Sequence, residues 1–402
     1  MNNLPLSGYR VVDFGWVWAG TLLGSILGSY GAEVIKMESR RRIDGLRLGK
    51  VFRLDDELEK NPYFLNLNRN KLSTRINMAH EEGARLIKEL VKKSDIVIEN
   101  FTPGTLKKRG LDYASLAGVK SDIIMLSMAP MGQHGPLANL VTYAPVISAL
   151  SGIDSMVGYP GENPIGFKHA YADVVASMSG LFSVLAAVRH HARTGQGQYI
   201  DLSQGEAVMP FMGEAFLANE MNNQVMGPQG NTSRTMAPHG VYPCIGDDKW
   251  ISIAVKTEEE WSSFCGVLGD PEWTKEDKFR TSVQRIAQAV ELDKHVAAWT
   301  KKHKNYEITK LLQKAGVAAA PMLDSSEILD DPNMKERKVF IDGEHPVVDN
   351  TVLYNWPWKI SGIDCRMQRA PLFGEHSEYV FGEILGFSRE EIENLVEQEI
   401  IY

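Results

Sequence analysis

The chain has 402 residues, with 43 Lys and Arg against 51 Asp and Glu, a formal net charge of −8. That balance excludes a global attraction for nucleic acid or an anionic membrane, so an anionic ligand needs a local basic patch. Apolar content of 44% and charged content of 23% are ordinary for a globular protein, and the length implies two domains or one large domain with an excursion.

Residues 1–10 lack a basic region followed by an apolar run, so no signal peptide is expected. Residues 11–30 are mostly apolar, but Asp13, Gly15, Gly20, Gly24 and Gly28 fit a buried strand, a turn and a close-packed helix better than a membrane span. The pattern predicts a strand over 10–14, a helix over 19–30 stopped by Gly31, and a second strand over 32–37, a parallel β-α-β unit. The phosphate-binding fingerprint G-x-G-x-x-G is absent after the first strand, where Gly15-Trp16-Val17-Trp18-Ala19-Gly20 stands, which disfavours a nicotinamide cofactor. Residues 39–60 read as charged and irregular, and 66–70 as a turn. An amphipathic helix follows over 79–92, then a strand over 96–99, a short helix from Pro103 to Gly110, and a strand over 122–128. Strands and helices alternate, so an α/β domain with a mostly parallel sheet is expected.

Helical pattern returns over 145–150, 174–193 and 206–222, the last with a kink at Pro210. From 240 the character changes to short strands over 241–243 and 250–255 and helices over 258–268, 285–301 and 306–314. We read 225–325 as a smaller domain, between the two parts of a large one over 1–224 and 326–402, which ends in a helix over 388–398. Cys244, Cys265 and Cys365 lie far apart and show neither metal spacing nor a disulfide framework, which fits a reducing cytoplasm. His190-His191 lacks partners at ligand spacing, so no metal site is expected.

Asp173 precedes the long run of small and apolar residues, at the mouth of the helix. There it suits an N-cap, and the helix dipole would keep it ionised. Its neighbourhood gives no more than that by itself.

Several motifs stand in order: Ala32-Glu33-Val34-Ile35-Lys36-Met37-Glu38, Asn68-Arg69-Asn70-Lys71-Leu72-Ser73, and Asp95-Ile96-Val97-Ile98-Glu99-Asn100-Phe101-Thr102-Pro103-Gly104. Gly132-Gln133-His134-Gly135-Pro136, Ala172-Asp173 and Ala370-Pro371-Leu372-Phe373-Gly374-Glu375-His376 follow. With these the chain resembles the class III CoA-transferases, from about residue 7 to 400. The resemblance implies a mostly parallel, Rossmann-like large domain with an inserted smaller α+β domain, and two chains interlocked as links in a homodimer or a heteromer with a paralogue. It implies coenzyme A as a substrate, with no permanently bound cofactor, and transfer of CoA from a donor acyl-CoA to a free acid. Asp173 falls on the family's catalytic aspartate. Asn100, Phe101 and Lys108 fall on CoA-contacting positions, with Val17 and Lys71 as further candidates for such contacts. An arginine that some members use falls near Ser39, so Arg40 would have to substitute.

The basic candidates for the phosphates are Arg40–Arg42, Arg69, Lys71, and Lys107–Arg109. Backbone N–H groups of residues 227–240 are the candidate oxyanion donors, and His169 could touch the site. A racemase on the same fold would need a His and an acid where Tyr143 and Ala144 stand, and Asp173 argues against a non-catalytic paralogous subunit. Trp16 and Trp18 would suit a bulky or aromatic acid.

Overall fold

The computed structural model describes residues 4–48, 58–349 and 351–402, so the irregular region read over 39–60 lies partly outside the described residues. The chain forms two compact units: one from 1–154, 166–225 and 338–402, the other from 155–165 and 226–337. The second thus takes in a short earlier segment and runs on past residue 325.

In the first unit six parallel strands alternate with helices. The strands are β1 (Arg10–Asp13), β2 (Glu33–Glu38), β3 (Lys71–Arg75), β4 (Ile96–Glu99), β5 (Ile124–Ala129) and β6 (Tyr199–Ser203). Their order is β3-β2-β1-β4-β5-β6, with Val12 level with Ile35 and Val97. Order reverses at β1, so a crevice opens past the carboxyl ends of β1 and β4, where such sheets bind ligands. The pleat sends alternate residues to two cores. Val12, Ile35, Val97 and Met125 pack with Ile87 and Leu90 of helix α3 (Glu81–Lys92), while Val11, Val34, Ile98 and Leu126 pack with Leu23 and Ile26 of helix α1 (Ala19–Ser29). Strand β3 begins directly after the turn expected over 66–70, in a stretch where no strand was expected; its Lys71 and Ser73 are buried rather than solvent-facing.

Helix α6 (Tyr171–Thr194) packs across α1, and a Cβ on its Gly180 would meet Leu126 and Leu23 at 3.1 and 3.3 Å. By length and composition α6 could cross a bilayer. His191, at its C-terminal end, sits 3.3 Å from Asp122. Pro210 ends the next helix at Val208 and opens a 3₁₀ turn, after which a new helix, Gly213–Asn222, begins.

The second unit has a three-stranded antiparallel sheet from His239–Pro243, Trp250–Ala254 and Ala318–Met322. Helices Glu258–Leu268, Ala289–Thr300 and Asn305–Lys314 cover a core of Ile251, Phe264, Leu292 and Ile308. The helix read over 285–301 breaks at Gln288, which caps both halves.

Candidate active site

A groove opens at the carboxyl ends of β1, β2 and β4, bordered by Trp16, Arg41, Arg42, Phe101, Thr105 and Arg109. The Arg42 guanidinium lies 4.0 Å from the centre of the Trp16 ring, and Phe101 meets that ring edge-on at 5.9 Å. Asn100 holds the Trp16 backbone from both sides: its Oδ1 accepts from Trp16 N–H at 2.8 Å and its Nδ2 donates to Trp16 O at 2.9 Å. Three arginines and two aromatic rings make a groove suited to a phosphate-bearing ligand with a flat ring.

The floor is a buried chain of charges. Lys71 Nζ donates to Asp13 Oδ2 at 2.7 Å, and both side chains are fully buried. Burial lowers the Lys71 ammonium to about 8, against the pull of Asp13. Lys36 Nζ bridges Gly15 O at 2.7 Å and Asp44 Oδ2 at 3.0 Å. Burial alone would lower Lys36, but Asp44, Glu38 and Asp13 together hold it above the usual lysine range. Arg47 grips Glu38 with two hydrogen bonds, at 2.8 and 2.9 Å, and stacks over Phe64 at 3.7 Å. Buried charges persist only when each finds a partner. Asp13 and Asp44 also accept from the backbone of Gly15 and Leu46, so this network fixes the loops that shape the groove.

Close approach makes this possible. A Cβ on Gly24 would stand 2.6 Å from Asp13 Oδ2, and one on Gly20 2.8 Å from Gly15 Cα. Helix α1 lies almost on the ion pair, and its first turn points at the crevice. Before it, Val17 has φ of 57°, a strained state for a β-branched residue.

Asp173 lies inside the first turn of α6; the N-cap is Ala170, so the expected capping role is not what this carboxyl does. It reaches across to the Ala19 N–H at the mouth of α1, while Ser177 Oγ donates to both Ala19 O and Asp173 O at 2.7 Å. Burial pushes the carboxyl up to about 6, and the single Ala19 N–H offsets only part of that. The expectation that the helix mouth keeps it fully ionised is therefore corrected: desolvation outweighs the dipole. At neutral pH it is a mostly ionised, poorly solvated carboxylate. On the other side of the Trp16–Val17 turn, Trp18 packs against Tyr63 at 5.7 Å between ring centres.

A family model described as CoA-transferase family III matches residues 6–377. The chain belongs to CoA-transferase family III. Among relatives of this family III protein, a probable CoA-transferase of Mycobacterium tuberculosis is 33% identical over the whole chain, which spans about half (51%) of that relative's length. The succinyl-CoA–L-malate CoA-transferase beta subunit of Chloroflexus aurantiacus is 32% identical, with 99% of this chain and 98% of the relative covered. A CaiB/BaiF family protein of Brucella suis superposes with a TM-score of 0.86 at 30% identity, covering 95% of this chain and all of that one.

Of the residues singled out for CoA, Phe101 borders the groove, Asn100 holds the backbone of Trp16 at its edge, and Val17 lies in the adjoining turn. Lys71 does not reach the surface: β3 carries it inward, where it pairs with Asp13 from below. Arg69 is likewise internal, its Nε donating to Asn66 O at 2.8 Å and its guanidinium lying over Trp356. Arg40 and Lys108 are exposed and stand outside the groove lining, where Arg41, Arg42 and Arg109 stand instead. His169 is exposed, and residues 227–240 belong to the second unit. Sequence reading missed Asp13, Lys36 and Asp44. For Asp13 and Lys36 the one signal available was charge within a mostly apolar strand, which demands a buried partner; Asp44, in the loop after β2, carried none.

Proposed function

We propose that this family III CoA-transferase moves CoA from a donor acyl-CoA to a free carboxylic acid, with Asp173 as the covalent relay. The observation that carries the reading is the Asp173 carboxyl, desolvated at the mouth of α1, where the turn that borders the basic groove begins. The carboxylate attacks the thioester carbonyl; the C–S bond breaks and its electron pair leaves on the CoA thiolate, giving an aspartyl–acyl anhydride. The thiolate attacks the aspartyl carbonyl of that anhydride, releases the donor acid and leaves an aspartyl-CoA thioester. The acceptor carboxylate attacks this thioester and expels the thiolate, which then takes the acceptor acyl group and frees Asp173. Every intermediate reacts with water, so the site must be shielded from it.

Arg41, Arg42 and Arg109 suit the CoA phosphates, Trp16 and Phe101 its adenine, with Val17 and Asn100 shaping the turn. Arg40 and Lys108 serve as outer charges that steer the anion. The Trp18–Tyr63 pair supports an acceptor that is a bulky or aromatic acid. Succinyl-CoA is the first donor to test. Apolar side chains left bare on the first unit, Tyr143, Phe182, Phe211, Leu217 and Met221, support a second chain of this family against it, as an interlocked homodimer or heteromer. Light scattering that finds only monomer at micromolar concentration would remove that part of the proposal.

The deciding experiment is Asp173→Ala assayed for exchange, with a mass-spectrometric screen of acids against succinyl-CoA and acetyl-CoA. Retained turnover in the variant sinks the mechanism. Hydroxylamine added during turnover is expected to modify Asp173 and no other carboxylate.

A further inference from the structure

Behind the Phe101 wall of the groove lies a second cavity, and the segment 101–106 is the partition between them. Thr105 borders both; Glu99, Ser127, Gln133, Tyr113 and Tyr199 line the cavity. Glu99, the last residue of β4, is 4% exposed. One carboxyl oxygen accepts from the Phe101 N–H at 2.7 Å and the other from Gln133 Nε2 at 3.3 Å. Gln133 is itself fixed, its N–H donating to Asp201 Oδ1 at 2.9 Å. On the groove side the Phe101 ring abuts Trp16, which Asn100 holds and Arg42 covers.

We propose that Glu99 is a positioning residue for the acyl-CoA groove, its carboxylate holding the Phe101 backbone against Gln133 so that the Phe101–Trp16 wall stands where CoA is bound. This rests on the groove being the CoA site. None of the transfer steps uses Glu99, yet it is buried and fully engaged by donors, an arrangement that costs desolvation and is kept only where it holds something in place.

The ionised form suits this role and the neutral form does not. A carboxylate accepts from both N–H groups; once protonated, the charge that strengthens both bonds is gone and the oxygen that carries the proton accepts more weakly. Burial pushes Glu99 up to about 7 against the Ser127 and Phe101 donors, and Asp201 adds to the push. The other titratable groups around it are Tyr199 on β6, Asp112 and Tyr113 at helix Tyr113–Ala117, Lys107 after β4, and His134, paired with Asp201 at 2.9 Å. Lys107 and His134, the two that can carry positive charge, are exposed and so offset little. The clamp is therefore closed above neutrality and slackens below it.

The test is CoA binding by calorimetry between about pH 6 and about pH 8.5 for the wild type, Glu99→Gln, Gln133→Ala and Arg42→Ala. Losing one charge-assisted hydrogen bond predicts wild-type Kd rising about tenfold from the top of that range to the bottom. Glu99→Gln has no carboxyl to titrate there and is expected to show only the ligand's own phosphate titration near pH 6, so subtracting its curve from the wild type isolates the part due to Glu99. Gln133→Ala, which removes one donor to the carboxylate, is expected to move the midpoint to higher pH. In steady state the effect appears in KM for acyl-CoA, with kcat unchanged. Parallel curves for the wild type and Glu99→Gln, an unmoved midpoint in Gln133→Ala, or an effect confined to kcat each overturn the inference. Arg42→Ala separates the two levels. If it leaves CoA binding intact, the groove reading fails. If it weakens binding while Glu99→Gln follows the wild type, only the role of Glu99 fails.

Discussion

Replacing Asp173 by asparagine is expected to abolish exchange and also to make the folded protein more stable at neutral pH. The carboxyl is raised from 3.8 in the unfolded chain to about 6 in the folded one by burial. Between those values the native state holds more protons than the unfolded state, so stability falls as pH rises through the window. Integrating the linkage puts the cost of the ionised side chain at about 3 kcal/mol at pH 7 and about 0.5 kcal/mol at pH 4. Asparagine keeps an oxygen for the Ala19 N–H and carries no charge, so the variant should recover most of that difference. The assay is urea unfolding at the two pH values; transitions that do not involve Asp173 cancel between wild type and variant. The expected result is a stabilisation of about 2–3 kcal/mol at pH 7 that nearly vanishes at pH 4. A variant equal to or less stable than the wild type at pH 7 would refute the reasoning, because the carboxylate would then not be desolvated. The same shift predicts that the wild-type exchange rate falls with an apparent pKa near 6, to about a tenth of its plateau at pH 5.

Other outcomes follow from the floor and the wall of the groove. Lys71→Met leaves Asp13 buried with only the Gly15 N–H among the described residues, and should lower stability by about 3–5 kcal/mol in urea unfolding, partly restored by adding Asp13→Asn. Gly24→Ala drives a methyl to 2.6 Å from Asp13 Oδ2, and should cost about 1–3 kcal/mol despite alanine's better helix propensity. Trp16→Ala removes the ring beneath Arg42 and should raise KM for acyl-CoA about tenfold with kcat little changed. Trp18→Ala should widen the range of acids accepted in the mass-spectrometric screen, since it opens one side of the Trp18–Tyr63 pair.

Much of the architecture was legible along the chain because burial leaves a mark on composition. Strands β1, β2, β4 and β5 are short apolar runs between turn residues, and α1 stops at Gly31, which has φ of 103°. β3 was not legible. Lys71-Leu72-Ser73-Thr74-Arg75 carries polar residues inward, and the carboxylates of Asp13 and Glu38, 58 and 35 residues away, help make that burial tolerable. Period and propensity cannot register a partner supplied by another strand. The ordered motifs singled out Asp173, Asn100 and Phe101 as site residues before any coordinates. They could not tell Lys71, which ends beneath the groove, from Arg42, which borders it.

The amino-acid sequence by itself determined the kind of protein: an alternating α/β chain, without the dinucleotide fingerprint, whose motifs run in the order of a CoA-transferase. Tertiary structure decided which charges border the groove and which are buried beneath it. Arg40, Arg41 and Arg42 are consecutive and chemically equal, yet only the last two border the groove, because the backbone after β2 turns them apart. Asp173 looks like a helix cap in one dimension. In three it is a desolvated carboxyl facing the amide of another helix, and that environment, which no local pattern encodes, sets its protonation.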